Sequence, residues 1–207
     1  SIHEMNTLRK HLSRLKGGLL ARTLAPATVL CLIISDVIGD DLDVIGSGMT
    51  AADNSRFAEC LAIIRRHALQ DSLPESVMRH IARGIRDASL ETARPGEPCF
   101  QRLSNHIVAG NAQALDAAAA KAEELGFSPL VLGGRIRGEA REVARVLAGI
   151  AEESAISGIP AKAPACILAG GETTVTIAGQ GRGGRNQEMA LALAMSLGEN
   201  PDTARKI

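Results

Sequence analysis

Apolar and polar positions alternate along the chain in two recurring forms, continuous apolar runs and one-sided helical stripes. The run from Ala27 to Ser35 (ATVLCLIIS) is apolar almost throughout, which predicts a strand covered on both faces in a parallel sheet. Before it, a basic stretch from Glu4 to Lys16 predicts a helix ending at Gly17-Gly18, since glycine is favoured just past a helix end. After it, Phe57, Cys60, Leu61, Ile64 and Ala68 recur at the spacing of one helical face. Ser72-Leu73-Pro74-Glu75 has the form of a capping box and predicts a helix to about Asp87. Ala88 to Arg102 is polar, contains prolines and lacks periodicity, so it reads as a linker.

Beyond it the alternation resumes. Asn105 to Gly110 predicts a strand, Asn111 to Leu125 an Ala-rich helix, and Ser128 to Leu132 a short strand. A long helix follows from Gly138 to Ser154, with Ala140, Val143, Ala144 and Leu147 on one face. Pro164–Ala169 and Thr173–Ala178 are two β-rich runs around Gly170-Gly171-Glu172, the pattern of a hairpin. Arg185 to Leu197 is nearly all apolar after its first turn and predicts a buried helix. Strands and helices in this order predict an α/β fold of layered, at least partly parallel sheets.

Composition narrows the function. The 207 residues carry 23 basic and 23 acidic side chains, so no global field steers the chain to nucleic acid or an anionic membrane. With no Trp, no Tyr and three Phe, a stacking platform for bases or sugars is not indicated. The longest apolar run, Val29 to Ile34, is far short of a bilayer span. Four cysteines without a C-x-x-C pair read as reduced thiols of a cytoplasmic protein, and five histidines show no zinc spacing.

Two loops could carry chemistry. Ser35-Asp36-Val37-Ile38-Gly39-Asp40-Asp41, continuing to Gly46-Ser47-Gly48-Met49-Thr50, leaves the end of the apolar strand, where α/β sheets place ligands. Two ionised carboxylates at about 6 Å repel by nearly 3 kcal/mol at an effective dielectric of about 20. If Asp36, Asp40 and Asp41 converge, a hard cation such as Mg²⁺ belongs among them; otherwise Asp40 and Asp41 cap a turn and only Asp36 is specific. The second loop, Gly179 to Glu188 (GQGRGGRNQE), lies between a β-rich run and a helix, where backbone N–H groups and the helix dipole favour an anion. Its bland alternative is a flexible glycine turn. Gly179, Gly181 and Gly184 fit G-x-G-x-x-G, but a helix opening Arg185-Asn186-Gln187-Glu188 lacks the small apolar residues of a dinucleotide fold.

Taken in order, RKHLSRLKGG, SDVIGDD, SGMT, GGETTVTIAG and GRGGRNQEMALA closely resemble the glycerate 2-kinase family that carries a MOFRL domain, members of which are often described as hydroxypyruvate reductases. Ile38 and Met49 stand where that family usually has proline, and the chain has about half its usual extent. It looks like the middle portion of a longer member, without the amino-terminal Gly-Lys-Ala lysine and the carboxyl-terminal Asp-Gly segment.

The resemblance implies two layered, Rossmann-like α/β domains, both incomplete in this chain, with the active site in the cleft between them. Residues 1–100 would belong to the amino-terminal kinase domain, and 101–207 to a linker and the MOFRL-type domain. The implied reaction moves the γ-phosphoryl of ATP to a hydroxyl of D-glycerate with Mg²⁺. Arg185 is the catalytic residue to carry over. Ser35, Gly171, Glu172, Gly181, Arg182, Gly183, Gly184 and Asn186 are assigned to substrate or phosphate, and Asp36, Asp40 and Asp41 to the metal. The expected partners are small molecules, with a homodimer admitted and neither nucleic acid nor membrane involved. The rival readings are a nicotinamide-dependent hydroxypyruvate reductase and a truncated, non-catalytic fragment.

Overall fold

The computed structural model describes residues 1–199 and 207, and its packing divides the chain into Ser1–Val108 and Ala109–Ile207. In the first unit, α1 (Ile2–His11) begins in a capping box. Ser1 Oγ accepts the Glu4 N–H at 3.3 Å, and the Glu4 carboxylate accepts the terminal ammonium at 2.7 Å. Gly17 and Gly18 then turn the chain with φ of 60° and 75° into α2 (Leu19–Leu24) and β1 (Val29–Ile34). A long loop leads to α3 (Phe57–Arg66) and α4 (Glu75–Arg86), and β2 (Leu103–Ala109) pairs with β1.

The core of this unit is Phe57, Cys60 and Ile64 from the predicted face of α3, closed by Ile81 of α4. Ala68 lies past the end of α3 in a left-handed conformation and leaves that stripe. Gly84 is glycine because the Phe57 ring packs against α4 there, leaving no room for a Cβ. The capping box expected at Ser72 does not form: α4 starts at Glu75, behind Pro74, without a side-chain cap.

Two further expectations change. Residues 88–102 are packed, not a linker. Thr92 and Ala93 are fully buried, the Ala93 N–H donates to Gly17 O at 2.9 Å, and the Asp53 N–H donates to Ala93 O at 2.8 Å. Arg22 adds a bidentate pair with Glu97 at 2.6 and 2.7 Å and reaches the Glu91 carbonyl at 2.6 Å. Backbone bonds and ion pairs hold the segment, so it carries no hydrophobic period. β1, expected to be covered on both faces, is covered on one: Leu30, Leu32 and Ile34 are 64%, 63% and 78% exposed.

In the second unit, α5 (Asn111–Glu124) leads to β3 (Ser128–Glu139), α6 (Ala140–Ser157), β4 (Ala165–Thr174) and α7 (Arg185–Gly198). β3 and β4 are parallel, from Ser128 beside Ala165 to Glu139 beside Thr174, so β3–α6–β4 is a crossover unit. Ala140, Ala144 and Ala148 bury the inner stripe of α6. The predicted hairpin at Gly170-Gly171 is instead the interior of β4. There the Asn111 side chain lies where a Cβ on Gly170 would go, and the Ile136 backbone where one on Gly171 would go. The glycines mark close approach inside a strand. α7, expected to be buried, packs on α6 along one side only; Leu191 and Met195 are 64% and 65% exposed.

Candidate functional site

The loop after β1 is held from below by α1 and the glycines that follow it. Lys10 is buried, and its ammonium donates to Asp53 Oδ1 at 3.0 Å and Asp43 Oδ2 at 3.3 Å. Ser47 Oγ donates to Asn6 Oδ1 at 3.2 Å, and Lys16 Nζ donates to Gly46 O at 2.8 Å. The Gly17 and Gly18 N–H groups donate to Ser47 O and Gly48 O at 3.0 and 2.7 Å. These bonds span three successive left-handed residues, Gly46, Ser47 and Gly48, of which Ser47 carries a side chain and is buried. Thr50 and Asn105 exchange hydrogen bonds and tie the loop to β2.

Asp53 shows how the brace is balanced. Burial raises its carboxyl pKa, but hydrogen bonds from Ser55 and the Lys10 ammonium outweigh that and hold it below the ordinary value. A cavity of ≈ 250 Å³ lined by His3, Asn6, Lys10, Asp43 and Asp53 lies beside the pair.

Of the predicted residues here, Ser35 is buried, with its Oγ accepting the Val37 N–H at 3.3 Å; Asp36 and Asp41 are exposed; Asp40 is half-buried with φ of 57°. Asp40 and Asp41 shape turns through their backbones, the Asp40 N–H donating to Val37 O and Asp41 O accepting from Val44 and Ile45. Among the described residues, no three His, Cys, Asp or Glu side chains gather as a cation site. Gly39 and Asp40 both have positive φ, 99° and 57°, so the chain turns sharply between Asp36 and Asp41.

In the second unit, Arg185 is the first residue of α7, and its guanidinium lies 2.5 Å from the Glu172 carboxylate. Gly184 before it supplies no side-chain cap, so the first-turn N–H groups of α7 are open to an anion. Gly181, Arg182, Gly183 and Asn186 are all exposed, and a Cβ at Gly179, Gly181 or Gly184 would meet no other group. Packing does not demand glycine in this loop, in contrast to Gly170 and Gly171.

Two further side chains, Glu139 and Arg141, contact the residues on either side of the glycine loop. Glu139 accepts the Thr176 N–H at 2.7 Å and pairs with Arg141 at 3.3 Å, and Arg141 lies 3.6 Å from Glu188. The Thr176 N–H, with Arg141 assisting, draws the Glu139 carboxyl below its ordinary value. The missed residues of the first loop are Lys10, Asn6, Asp43 and Asp53. The signal for Lys10 was the charge-bearing string RKHLSRLKGG, which does not say what its lysines touch; Asn6, Asp43 and Asp53 lie outside that string.

Comparison with known proteins bears on both loops. Residues 1–82 match the domain of unknown function DUF4147, and residues 165–205 match the MOFRL family. The chain is 39% identical over 199 residues to a glycerate 2-kinase of Pyrococcus horikoshii, covering 96% of this chain and 44% of that protein. In sequence and fold alike, the chain resembles the glycerate 2-kinases with a MOFRL segment. The crystal structure of the Thermotoga maritima glycerate kinase superposes with a TM-score of 0.77 at 38% identity, over 95% of this chain and 44% of that one. An Agrobacterium vitis protein named "Putative hydroxypyruvate reductase" is 48% identical over 199 residues, 95% of this chain and 43% of its own length. The chain thus spans less than half the length of these relatives. Among the described residues, no helix is long and apolar enough to cross a membrane.

Proposed function

We propose that this chain contributes the acceptor-side loop and the phosphate-binding helix end of an enzyme that moves the γ-phosphoryl of ATP to a hydroxyl of D-glycerate. What supports the reading is kinship with proteins named glycerate kinases over nearly the whole chain. The observation that carries it is Arg185, set at the uncapped start of a 14-residue helix behind a glycine loop.

Phosphoryl transfer needs positioning and charge neutralisation more than a nucleophile supplied by the protein. The Arg185 fork bridges two phosphate oxygens, and the first-turn amides of α7 face the same anion. Arg182 adds a second positive charge, and Gly181, Gly183 and Gly184 let the backbone approach. Glu172 holds the guanidinium in line, aided by Gly171 fixing the strand before it, and Asn186 offers a donor and an acceptor to substrate. Ser35 is assigned to the substrate, and Asp36, Asp40 and Asp41 to Mg²⁺ or the polar hydroxyl-bearing substrate. Among the described residues no three carboxylates gather, so one or two of these aspartates would hold Mg²⁺, whose remaining ligands would be phosphate oxygens and water.

The test is the natural polypeptide carrying this chain, incubated with ATP, Mg²⁺ and D-glycerate and assayed for ADP. Glycerate-dependent ADP release is the expected result. Oxidation of NADH by hydroxypyruvate without ADP would establish the reductase, the reading suggested by the name of the Agrobacterium vitis relative. Neither activity would leave a non-catalytic module.

A further inference from the structure

The string RKHLSRLKGG has no role in the reaction above, yet its Lys10 makes a buried ion pair with Asp53, and its Lys16, Gly17 and Gly18 bond the loop after β1. We propose that α1 and the two glycines after it form a cradle that sets the shape of the loop after β1, and that Lys10 is its positioning residue. This rests on the reading that the loop binds the phosphoryl acceptor.

The contacts fall at both ends and the middle of one stretch. Lys10 grips Asp43 and Asp53, ten residues apart in sequence, through a single buried ammonium. Between those two aspartates, Lys16, Gly17, Asn6 and Gly18 bond Gly46, Ser47 and Gly48. Gly46 and Gly48 tolerate a left-handed backbone, but Ser47 does so only at a cost that its surroundings must offset. Its hydroxyl bond to Asn6 and its carbonyl bond from Gly17 supply that constraint.

The arrangement is built for geometry rather than stability. A buried ion pair contributes little net stability against an apolar pair of the same size, whereas it fixes register between two elements. Asp53 is also bonded by Ser55 Oγ at 2.7 Å, so the lower end of the loop is held before Lys10 joins it. Asp43 is different. Its side chain is 54% exposed and accepts from Lys10 at 3.3 Å, so that contact ties the start of the segment whose end is held at Gly46, Ser47 and Gly48.

The test is amide hydrogen exchange of the chain, comparing Lys10→Met, Asp43→Asn and the double variant Lys10→Met/Asp53→Leu. Lys10→Met is expected to speed exchange in residues 41–48 by about tenfold or more, the equivalent of one lost charged hydrogen bond, with α3 and α4 unchanged. The double variant removes the orphaned buried carboxylate, so it restores the melting temperature without restoring protection of the loop. Asp43→Asn, an exposed site that does not threaten folding, is expected to speed exchange over the same residues by a smaller factor. Equal acceleration in α3 and α4, or an unchanged loop in Asp43→Asn, would overturn the proposal and leave Lys10 a purely structural residue. In the natural polypeptide, Lys10→Met should raise KM for D-glycerate more than it lowers kcat; the reverse split would also overturn it. Absence of any kinase activity in the unmodified protein would defeat the functional reading while leaving the exchange result standing.

Discussion

The Arg185 guanidinium pairs with the Glu172 carboxylate at 2.5 Å, joining the first turn of α7 to the end of β4. Both side chains are about two-fifths exposed, so the pair itself contributes on the order of 0–1 kcal/mol. Its consequence is position: the planar fork is held against the end of β4. Arg185→Lys keeps the charge but loses the fork. Turnover in the natural polypeptide should fall on the order of 10³-fold, with stability changed by less than about 0.5 kcal/mol. Steady-state kinetics beside a melting curve checks this, and normal turnover removes Arg185 from the mechanism.

Gly170 and Asn111 are complementary in the same unit. A methyl on Gly170 would overlap the Asn111 side chain, whose Nδ2 donates to Gly134 O at 3.1 Å. Gly170→Ala should therefore destabilise by about 1–3 kcal/mol in chemical unfolding. Adding Asn111→Gly removes the obstacle, so the double variant should be less destabilised than the sum of the two singles. Strict additivity would contradict the packing described.

The contrast between Gly170 and the later glycines shows what the sequence could and could not disclose. Most of the strand and helix order was readable from periodicity, apart from α2, which was not expected, and β4, which was expected as two strands; the α3 core face Phe57, Cys60, Ile64 appeared as predicted. Gly170-Gly171 looked like a turn because glycine signals both turns and close approach, and only the position of Asn111 separates them. Residues 88–102 looked like a linker because Arg22, Arg94 and Glu97 hold them by polar contacts that leave no period. Leu30, Leu32 and Ile34 had the composition of a two-sided strand, but exposure depends on what else packs there, which one run of residues does not specify. Arg185 and Glu172, singled out from their glycine contexts, meet as an ion pair. Lys10 was not singled out, because a basic helix face looks the same whether it meets water or Asp53.

Asp53 gives the first unit a signature in acid. Its carboxyl titrates below the ordinary 3.8 in the folded chain. The stability it contributes is fully present above that ordinary value and is lost as pH falls through the lower folded one. Urea unfolding of the protein and of Asp53→Asn should show a gap at pH 6 that narrows toward pH 2. A gap independent of pH would contradict the buried pairing with Lys10.

Cys60 is fully buried, and burial, followed by the nearby Glu91, Glu59 and Asp53 carboxylates, pushes its thiol up to about 12. The other three cysteines are partly accessible. With an aromatic disulfide reagent at pH 8, Cys60 should be the last thiol to react in the folded chain and become equivalent on unfolding. Early modification of Cys60 would contradict the packing of α3 on α4.

The central claim, phosphoryl transfer to glycerate, is tested most directly by following the γ-phosphorus of ATP by ³¹P NMR with the natural polypeptide, Mg²⁺ and D-glycerate. The account predicts that the γ-phosphate resonance is replaced by that of a phosphate monoester in step with ADP, and that the Arg185→Lys variant leaves the spectrum nearly unchanged over the same time. An unchanged ATP spectrum from the unmodified protein, with NADH consumed when hydroxypyruvate is supplied instead, would contradict it.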